Sequence, residues 1–474
     1  MKNNQLIKHS IIEDSSSWYT NVLNQGKFVN YGLVKGTIAL TPYSCKIWEN
    51  IQNHFNNQFR KLNIDNVYLP SLIPLSELQI EKDHLDGFLP EVAIVTQVGE
   101  KKIAPLVIRP TSEVLFCHYF KNNLVSYRDL PIQLNQWCNV VRWEKNTRPF
   151  LRNSEFLWQE GHTIHETSLE AQTMVDNALN AYKDFVNNTL DIYCLSGKKT
   201  EREKFAGADE TNTIELIMKD GQCLQSATSH NLGQNFTKMF DIAYQKNNKK
   251  ELPFQTSFGI STRIIGGLIL SHGDDQGAIM PPDIAPYQVV ICTILANKEQ
   301  AISIEAKKLY DSLNKKYRVL LDDSDKSIGF KINDYEVQGI PIRIEIGPKN
   351  IVNDEVVIVT RINGHKETIN FTQIDEKIAE ILKTTKQELF SRSKANLEKK
   401  IKKINSKTEF IDWIINHKGV ALAPFCLDEH HEKKIKDEHG ITARCISTDH
   451  HINDEVCFET NKPAKAWVYF GRAY

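Results

Sequence analysis

Two long stretches, YSCKIWENIQNHFNNQFRKL (43–62) and SLEAQTMVDNALNAYKDFVNNTL (168–190), place apolar residues at three- and four-residue spacing, which predicts helices. GTIAL (36–40), LVIRPT (106–111), PIQLNQWCNVVRWE (131–144) and FLWQEGHTIH (156–165) read as strands. The last of these is two-faced. Alternate side chains of a strand share a side, so Phe156, Trp158, Glu160 and His162 lie together, and Leu157, Gln159, Gly161 and Thr163 lie opposite. A carboxylate and an imidazole beside two aromatics do not suit a plain core strand, because a buried charge needs a partner. The two long strands should pair antiparallel. The connection KNTRPFLRNSE exceeds the usual hairpin loop of about 2–5 residues, so we expect a functional, mobile loop.

Pro281, Pro282 and Pro286 in MPPDIAPY (280–287) forbid a continuing helix or central strand and predict a domain junction. Beyond it, QVVICTIL (288–295), IPIRIEIG (340–347) and EVVIVTRI (355–362) read as strands, and AISIEAKKLYDSLNKKY (301–317) as a helix. Their alternation predicts a compact α/β unit. From about residue 390, SRSKANLEKKIKKINSK predicts a charged, solvated helix leading into a third, smaller region. The expected divisions are 1–283, 284–390 and 391–474.

The chain has 474 residues, enough for two or three domains, and 41% hydrophobic with 25% charged residues suits a globular protein. A net charge of −1 argues against a generally basic nucleic-acid coat but leaves room for a local basic site. The nine cysteines are scattered without a CxxC pair, the pattern of reduced thiols. No apolar signal segment opens the chain and no apolar run reaches the ~20 residues of a membrane span. These features predict a cytoplasmic protein with no membrane partner.

Four polar clusters fall within the first division. Arg142, Arg148 and Arg152 flank the two-faced strand, and their forked donors suit phosphate oxygens. In RPTSE (109–113), Thr111 and Glu113 either share a strand face, where they could hold an ammonium group, or open a helix. Gln225, Thr228 and His230 sit in CLQSATSHNLGQNF (223–236), which reads as a loop. Ser261 and Arg263 precede Gly266 and Gly267 in FGISTRIIGGLILSHGDDQGAIMPP (258–282). Any one of them alone is an ordinary surface feature; four in one domain point to a site.

In combination these residues resemble the prolyl-tRNA synthetases, of the kind found in archaea, eukaryotes and some bacteria. VKGTIALTPYSCKIWENI (34–51), RWEKNTRPFLRNSEFLWQEGHT (142–163) and GISTRIIGGLILSHGDDQG (259–277) are similar to the three class II motifs. RPTSE and QSATSHNLGQNF resemble the family's proline-site signatures, EVQGIPIRIEIGPKN (336–350) its anticodon domain, and KPAKAWVYFGRAY (462–474) its C-terminus. The resemblance implies an α+β catalytic domain built on an antiparallel sheet, an α/β anticodon-binding domain and a small α+β C-terminal domain. It implies a proline–tRNA ligase that consumes ATP with Mg²⁺, makes prolyl-adenylate, charges tRNA(Pro) and works as a homodimer.

By the same resemblance, Arg142 and Arg263 are the catalytic arginines. Arg142, Glu144, Arg152, Phe156, Gln225, Thr228, Ser261 and Arg263 would contact ATP. Thr111, Glu113, Arg142, Trp158, Glu160, His162 and His230 would receive L-proline, and Glu336 and Arg343 the guanosines of the anticodon. Some features depart from the family. Phe258 stands where tryptophan is usual and Asn350 where aspartate is common. Of four zinc-ligand positions, Cys426 and Cys457 match, His431 is a usable ligand and Thr460 is not, so zinc is not expected unless Cys445 substitutes. The 95 residues between His162 and Phe258 leave no space for an inserted editing domain. Two alternatives compete: a synthetase-like protein that binds amino acid or tRNA without charging it, and a class II synthetase for another amino acid. The presence of Arg142, Arg263 and Glu113 counts against the first, and the Thr111/Glu113 pair with Trp158 and His162 against the second.

Overall fold

A computed structural model describes residues 6–80 and 92–474 of the chain. Seven strands, β1 (Asp65–Asn66), β2 (Ile132–Val141), β3 (Glu155–His165), β4 (Leu195–Lys198), β5 (Glu210–Ile217), β6 (Cys223–Gly233) and β7 (Phe254–Ser261), form one sheet in the order β1-β2-β3-β7-β6-β5-β4. Every pairing is antiparallel except that of the short β1 with β2. This is the expected α+β arrangement, with the two-faced strand β3 hydrogen-bonded on both edges.

In chain order the helices of this region include α1 (Pro42–Lys61), α2 (Glu113–Asn123), α3 (Ser168–Asp184) and α4 (Arg263–His272). Helices α1 and α3 cover the back of the sheet, whereas α2 meets its front face through Phe116. Helix α1 starts where Thr41 caps and Pro42 presets the first turn, and it buries Ile47, Trp48, Ile51, Phe55 and Phe59 along one stripe. A capping box between Thr167 and Glu170 opens α3. The Tyr182 hydroxyl of α3 donates to Gln159, which donates on to Asn135 at 2.9 Å, so the polar group on the back face of β3 is satisfied inside the core. Phe258 packs at 5.8 Å from Phe59 and 6.5 Å from Tyr182, ring to ring. Its ring occupies the space over Gly161: a Cβ there would lie 2.1 Å from Phe258 Cε2.

Two local expectations change, and one alternative left open is decided. The segment 223–233 is not a loop but strand β6, because its polar side chains are needed on the open face of a central strand. RPTSE opens helix α2 at Glu113, yet Thr111 and Glu113 remain hydrogen-bonded at 2.5 Å. The loop between β2 and β3 is pinned where a mobile loop was expected. Phe150 and Leu151 are buried at its centre, and Arg148 and Arg152 exchange backbone hydrogen bonds of 2.7 and 2.8 Å.

The second region is a five-stranded sheet of β8 (Val289–Thr293), β9 (Val319–Asp322), β10 (Ile342–Ile346), β11 (Glu355–Thr360) and β12 (Lys366–Asn370), ordered β9-β8-β10-β11-β12. Parallel β9-β8-β10 pairings are crossed by α5 (Gln300–Leu313) and α6 (Ile328–Gln338). Helix α7 (Ile374–Lys400) continues straight through residue 390. It delivers the chain to a four-stranded sheet of β13 (Ile401–Lys403), β14 (Val420–Phe425), β15 (Thr442–Ile446) and β16 (Ala466–Gly471), with α8 (Lys407–Ile415) and α9 (Glu429–His439). Among the described residues, no helix is long and apolar enough to cross a membrane.

The third region is tied to the first by buried charge. Glu215 of β5 is held by Lys199 at 2.8 Å and by Arg444 of β15 at 2.7 and 3.0 Å. Burial pushes its carboxyl up, but Arg444 and Lys199 outweigh that and hold it below the usual carboxylate range. Nearby, Thr200 donates to Glu432 of α9 at 2.8 Å, and there burial wins, raising the carboxyl to about 7.

Gly161→Ala is expected to lower the thermal midpoint through overpacking against Phe258, a cost of about 1–3 kcal/mol, and Gly161→Ala combined with Phe258→Leu to recover part of it; differential scanning calorimetry reads both. Because Glu432 keeps its proton in the folded state up to about pH 7 while an unfolded glutamate loses it near pH 4.5, folding stability falls as pH rises across that window. Glu432→Gln should therefore melt progressively higher than the parent as pH goes from 5 to 8, with the difference closing at pH 5.

Candidate active site

The pleat of β3 and the register of its neighbours assemble the site. On the open face Phe156, Trp158, Glu160 and His162 follow in line, and β7 sets Ser261 beside Trp158, Gly259 beside Glu160 and Ser257 beside His162. Strand β6 then sets Thr228 beside Gly259 and His230 beside Ser257. Gln225 has the wrong parity to join Thr228 and His230. A register shift against Ile214/Glu215 leaves Ser226 as an extra residue and brings Gln225 to the same side. The result is a cavity of about 260 Å³. All the expected catalytic, ATP and proline residues line it except Glu144 and Arg152, which sit together outside the lining as a 3.8 Å ion pair.

One end is acidic. Glu160 is buried and accepts from the Ser112 N–H at 3.0 Å, from Gln136 at 3.4 Å and from Thr111 at 3.4 Å, with His162 Nε2 at 3.1 Å. Burial works against its charge, but the contacts from His162 and Ser112 prevail and hold Glu160 below its usual range. Glu113 is forced the other way, first by burial and then by the charge of Glu160. The pair therefore shares a deficit of positive charge. His162 is fixed by stacking on Phe116, with ring centroids 4.2 Å apart, and its buried Nδ1 has no hydrogen-bond partner. His230 is neutral because burial lowers it to about 3. The Thr211 hydroxyl accepts from the Phe205 N–H at 2.9 Å and is hydrogen-bonded to His230 Nδ1 at 2.9 Å.

The other end is basic. Arg142 donates through Nε to the Pro110 carbonyl at 2.9 Å and lies 5.5 and 5.3 Å from the Phe156 and Trp158 ring centroids. Arg263 opens helix α4 and donates to the Leu151 carbonyl at 3.0 Å, which ties the buried centre of the β2–β3 loop to the fourth cluster. Burial and the neighbouring Arg142 and Arg152 lower Arg263 to about 10. A guanidinium whose charge is disfavoured by burial and by two like neighbours suits a polyanion.

Some of the other lining residues carried no advance signal. Glu203 and Phe205 come from the turn between β4 and β5, where no periodicity marks them. Ser257 and Gly259 could have been found by counting back from Ser261 in steps of two. The C-terminal Tyr474 also reaches this region: its ring and that of Tyr19 lie 5.2 and 4.9 Å from the Arg148 guanidinium, and its hydroxyl donates to Asp220 at 2.5 Å.

Away from the cavity, Glu336 and Arg343 meet at 3.2 Å in a small cleft, with Glu345 holding Arg343 Nε at 3.0 Å. Asn350 is occupied in capping, accepting from the Gly347 N–H at 2.9 Å. Cys426 and Cys457 belong to one core cluster and Cys445 to another. Among the described residues, the one set of three metal-type side chains whose ligand atoms converge is Glu113, Glu160 and His162, and His431 does not join the two thiols in such a set.

Three family models match in sequence. A class II tRNA synthetase core domain (G, H, P, S and T) matches residues 98–272, an anticodon binding domain residues 288–381, and a prolyl-tRNA synthetase C-terminal domain residues 408–474. Among relatives, the proline–tRNA ligase of Ruminiclostridium cellulolyticum is 45% identical over 468 residues, 98% of each chain. That of Mesoplasma florum is 44% identical over 463 residues, 97% of this chain and 98% of its own. Proline–tRNA ligase 2 of Bacillus thuringiensis is 46% identical over 464 residues, 98% of this chain and 97% of its own. With identity of this extent running from end to end, the chain belongs to the prolyl-tRNA synthetases.

Proposed function

We propose that the cavity activates proline with ATP and that the same site passes the prolyl group to tRNA(Pro). The observation that carries this reading is the pairing of a buried two-carboxylate end with an end holding Arg142 and Arg263 in one cavity, Arg152 standing outside its lining. Proline's secondary ammonium has two N–H groups, and Glu113 and Glu160 offer an acceptor for each while the cation relieves their mutual repulsion. Thr111 orients Glu113, and Trp158, His162, His230 and Phe205 enclose the ring. The proline carboxylate, drawn toward Arg142, attacks the α-phosphorus of ATP and pyrophosphate leaves. No protein nucleophile is needed, since a carboxylate is already ionised. Positioning and charge neutralisation supply the catalysis.

In this assignment Phe156 stacks on adenine, Gln225, Thr228 and Ser261 hold the nucleoside, and Arg152 and Arg263 hold the outer phosphates. Glu144 supplies an oxygen ligand at that end and would hold Mg²⁺ together with the phosphates. The ion's contribution there is neutralisation of the developing negative charge. Glu336 and Arg343 read a guanosine of the anticodon. The three divisions at 1–283, 284–390 and 391–474 serve activation, anticodon binding and support of the first. The segment between His162 and Phe258 is taken up by α3 and β4–β6 of the catalytic sheet, which favours the type without an inserted editing domain. Exposed Tyr31, Leu33 and Val34, just ahead of α1, favour a homodimer formed through that edge, working in the cytoplasm.

Pyrophosphate exchange measured with all twenty amino acids should select proline; no exchange, or preference for another amino acid, overturns this function. Arg152→Ala is expected to raise KM for ATP at least tenfold with a small effect on proline, and Glu160→Gln to do the reverse. Equal effects of both variants on both substrates would refute the two-ended site.

A further inference from the structure

The cleft containing Glu336 and Arg343 is not made by the second region alone. Gln276, from the segment that follows α4 in the catalytic region, lines it together with Tyr335, Thr360 and Arg361. Its side chain is exposed. The backbone beneath it is fixed. Asp274 Oδ1 accepts from the Gln276 N–H at 2.9 Å, and the same carboxylate takes a two-pronged pair from Arg361 at 2.7 and 2.8 Å. Arg361 in turn donates through Nε to the Glu336 carbonyl at 2.8 Å. On the other side of Gln276 two segments of the chain run backbone to backbone. Ala278 N–H donates to Val337 O and Met280 N–H to Gly339 O, both at 3.0 Å. Gly277 permits this approach, for at φ +137° a Cβ would lie 2.5 Å from Val337 Cα. One carboxylate and one backbone seam thus hold Gln276 in register with Glu336.

We infer that Gln276 is a third reader of the anticodon, contacting a nucleobase edge beside the guanosine taken by Glu336 and Arg343. A carboxamide presents a donor and an acceptor on one plane, the pattern that pairs with a base edge. The inference rests on the reading of this cleft as the anticodon site. It makes base recognition a property of both regions, with the catalytic segment that runs back through α4 to Arg263 supplying one of the reading groups.

The test uses the full-length Gln276→Ala enzyme with tRNA(Pro) transcripts carrying each anticodon base substituted in turn. Proline-dependent pyrophosphate exchange without tRNA should stay within twofold of the parent, while kcat/KM for tRNA(Pro) falls five- to fiftyfold. That penalty should vanish with one base-substituted transcript, the sign that enzyme and base lose the same contact. A penalty of equal size on every transcript, no penalty at all, or a parallel fall in pyrophosphate exchange each overturns the inference. Absence of proline-dependent exchange in the parent enzyme would instead defeat the proposed function.

Discussion

Strand β3 has to satisfy two environments at once, and the catalytic region is arranged around that demand. Its back face must be dry and close-packed, so Gly161 yields space to the Phe258 ring and Gln159 is handed from Tyr182 to Asn135. Its front face carries groups that no core would accept unpaired. Because the two sets are separated by the pleat alone, a shift of register by one residue would bury Glu160 and His162 among phenylalanines and expose the packing face. Pairing on both edges, with β2 and β7, makes such a shift costly.

Charge in the cavity follows from the same confinement. Desolvation raises Glu113 and lowers Arg263, and each is made worse by a like neighbour, Glu160 for one and Arg142 for the other. Placed at opposite ends, these unfavourable groups become complementary to a molecule that is cationic at one end and polyanionic at the other. The fold thus holds in the cavity unfavourable charges that a ligand of that charge pattern would relieve.

The outer regions reach the site through a few buried links. The Arg444–Glu215–Lys199 cluster joins the third region to β5, and Glu215 is the cross-strand neighbour of Gln225 in the cavity wall. Removing one partner would leave an uncompensated buried charge, so the link resists piecemeal change. The Arg361–Asp274 pair does the corresponding work for the second region at the far end of α4. Tyr474 adds a third link by stacking on Arg148 in the β2–β3 loop.

Local chemistry made much of this legible. Three- and four-residue spacing marked α1 and α3, alternation marked β2 and β3, and the prolines at 281, 282 and 286 marked the passage to the α/β unit. The front face of β3 and the arginines around it could be written down from parity and residue type, and their resemblance to a family supplied roles. Residue types along a single segment do not say which segments meet. Strand β6 looked like a loop because its polar residues make sense only on a central strand facing a cavity, and Gln225 joins them through a bulge that its own sequence does not announce. Phe205 and Glu203 enter from a turn with no period, and Gln276 acquires its place only because the backbone of a neighbouring region runs against it. The chain by itself determined its helices, its two-faced strand and the chemistry they carry, since these depend on neighbours a few residues apart; which side chains share the cavity was decided by strand register and interdomain packing, which depend on residues far apart in the sequence.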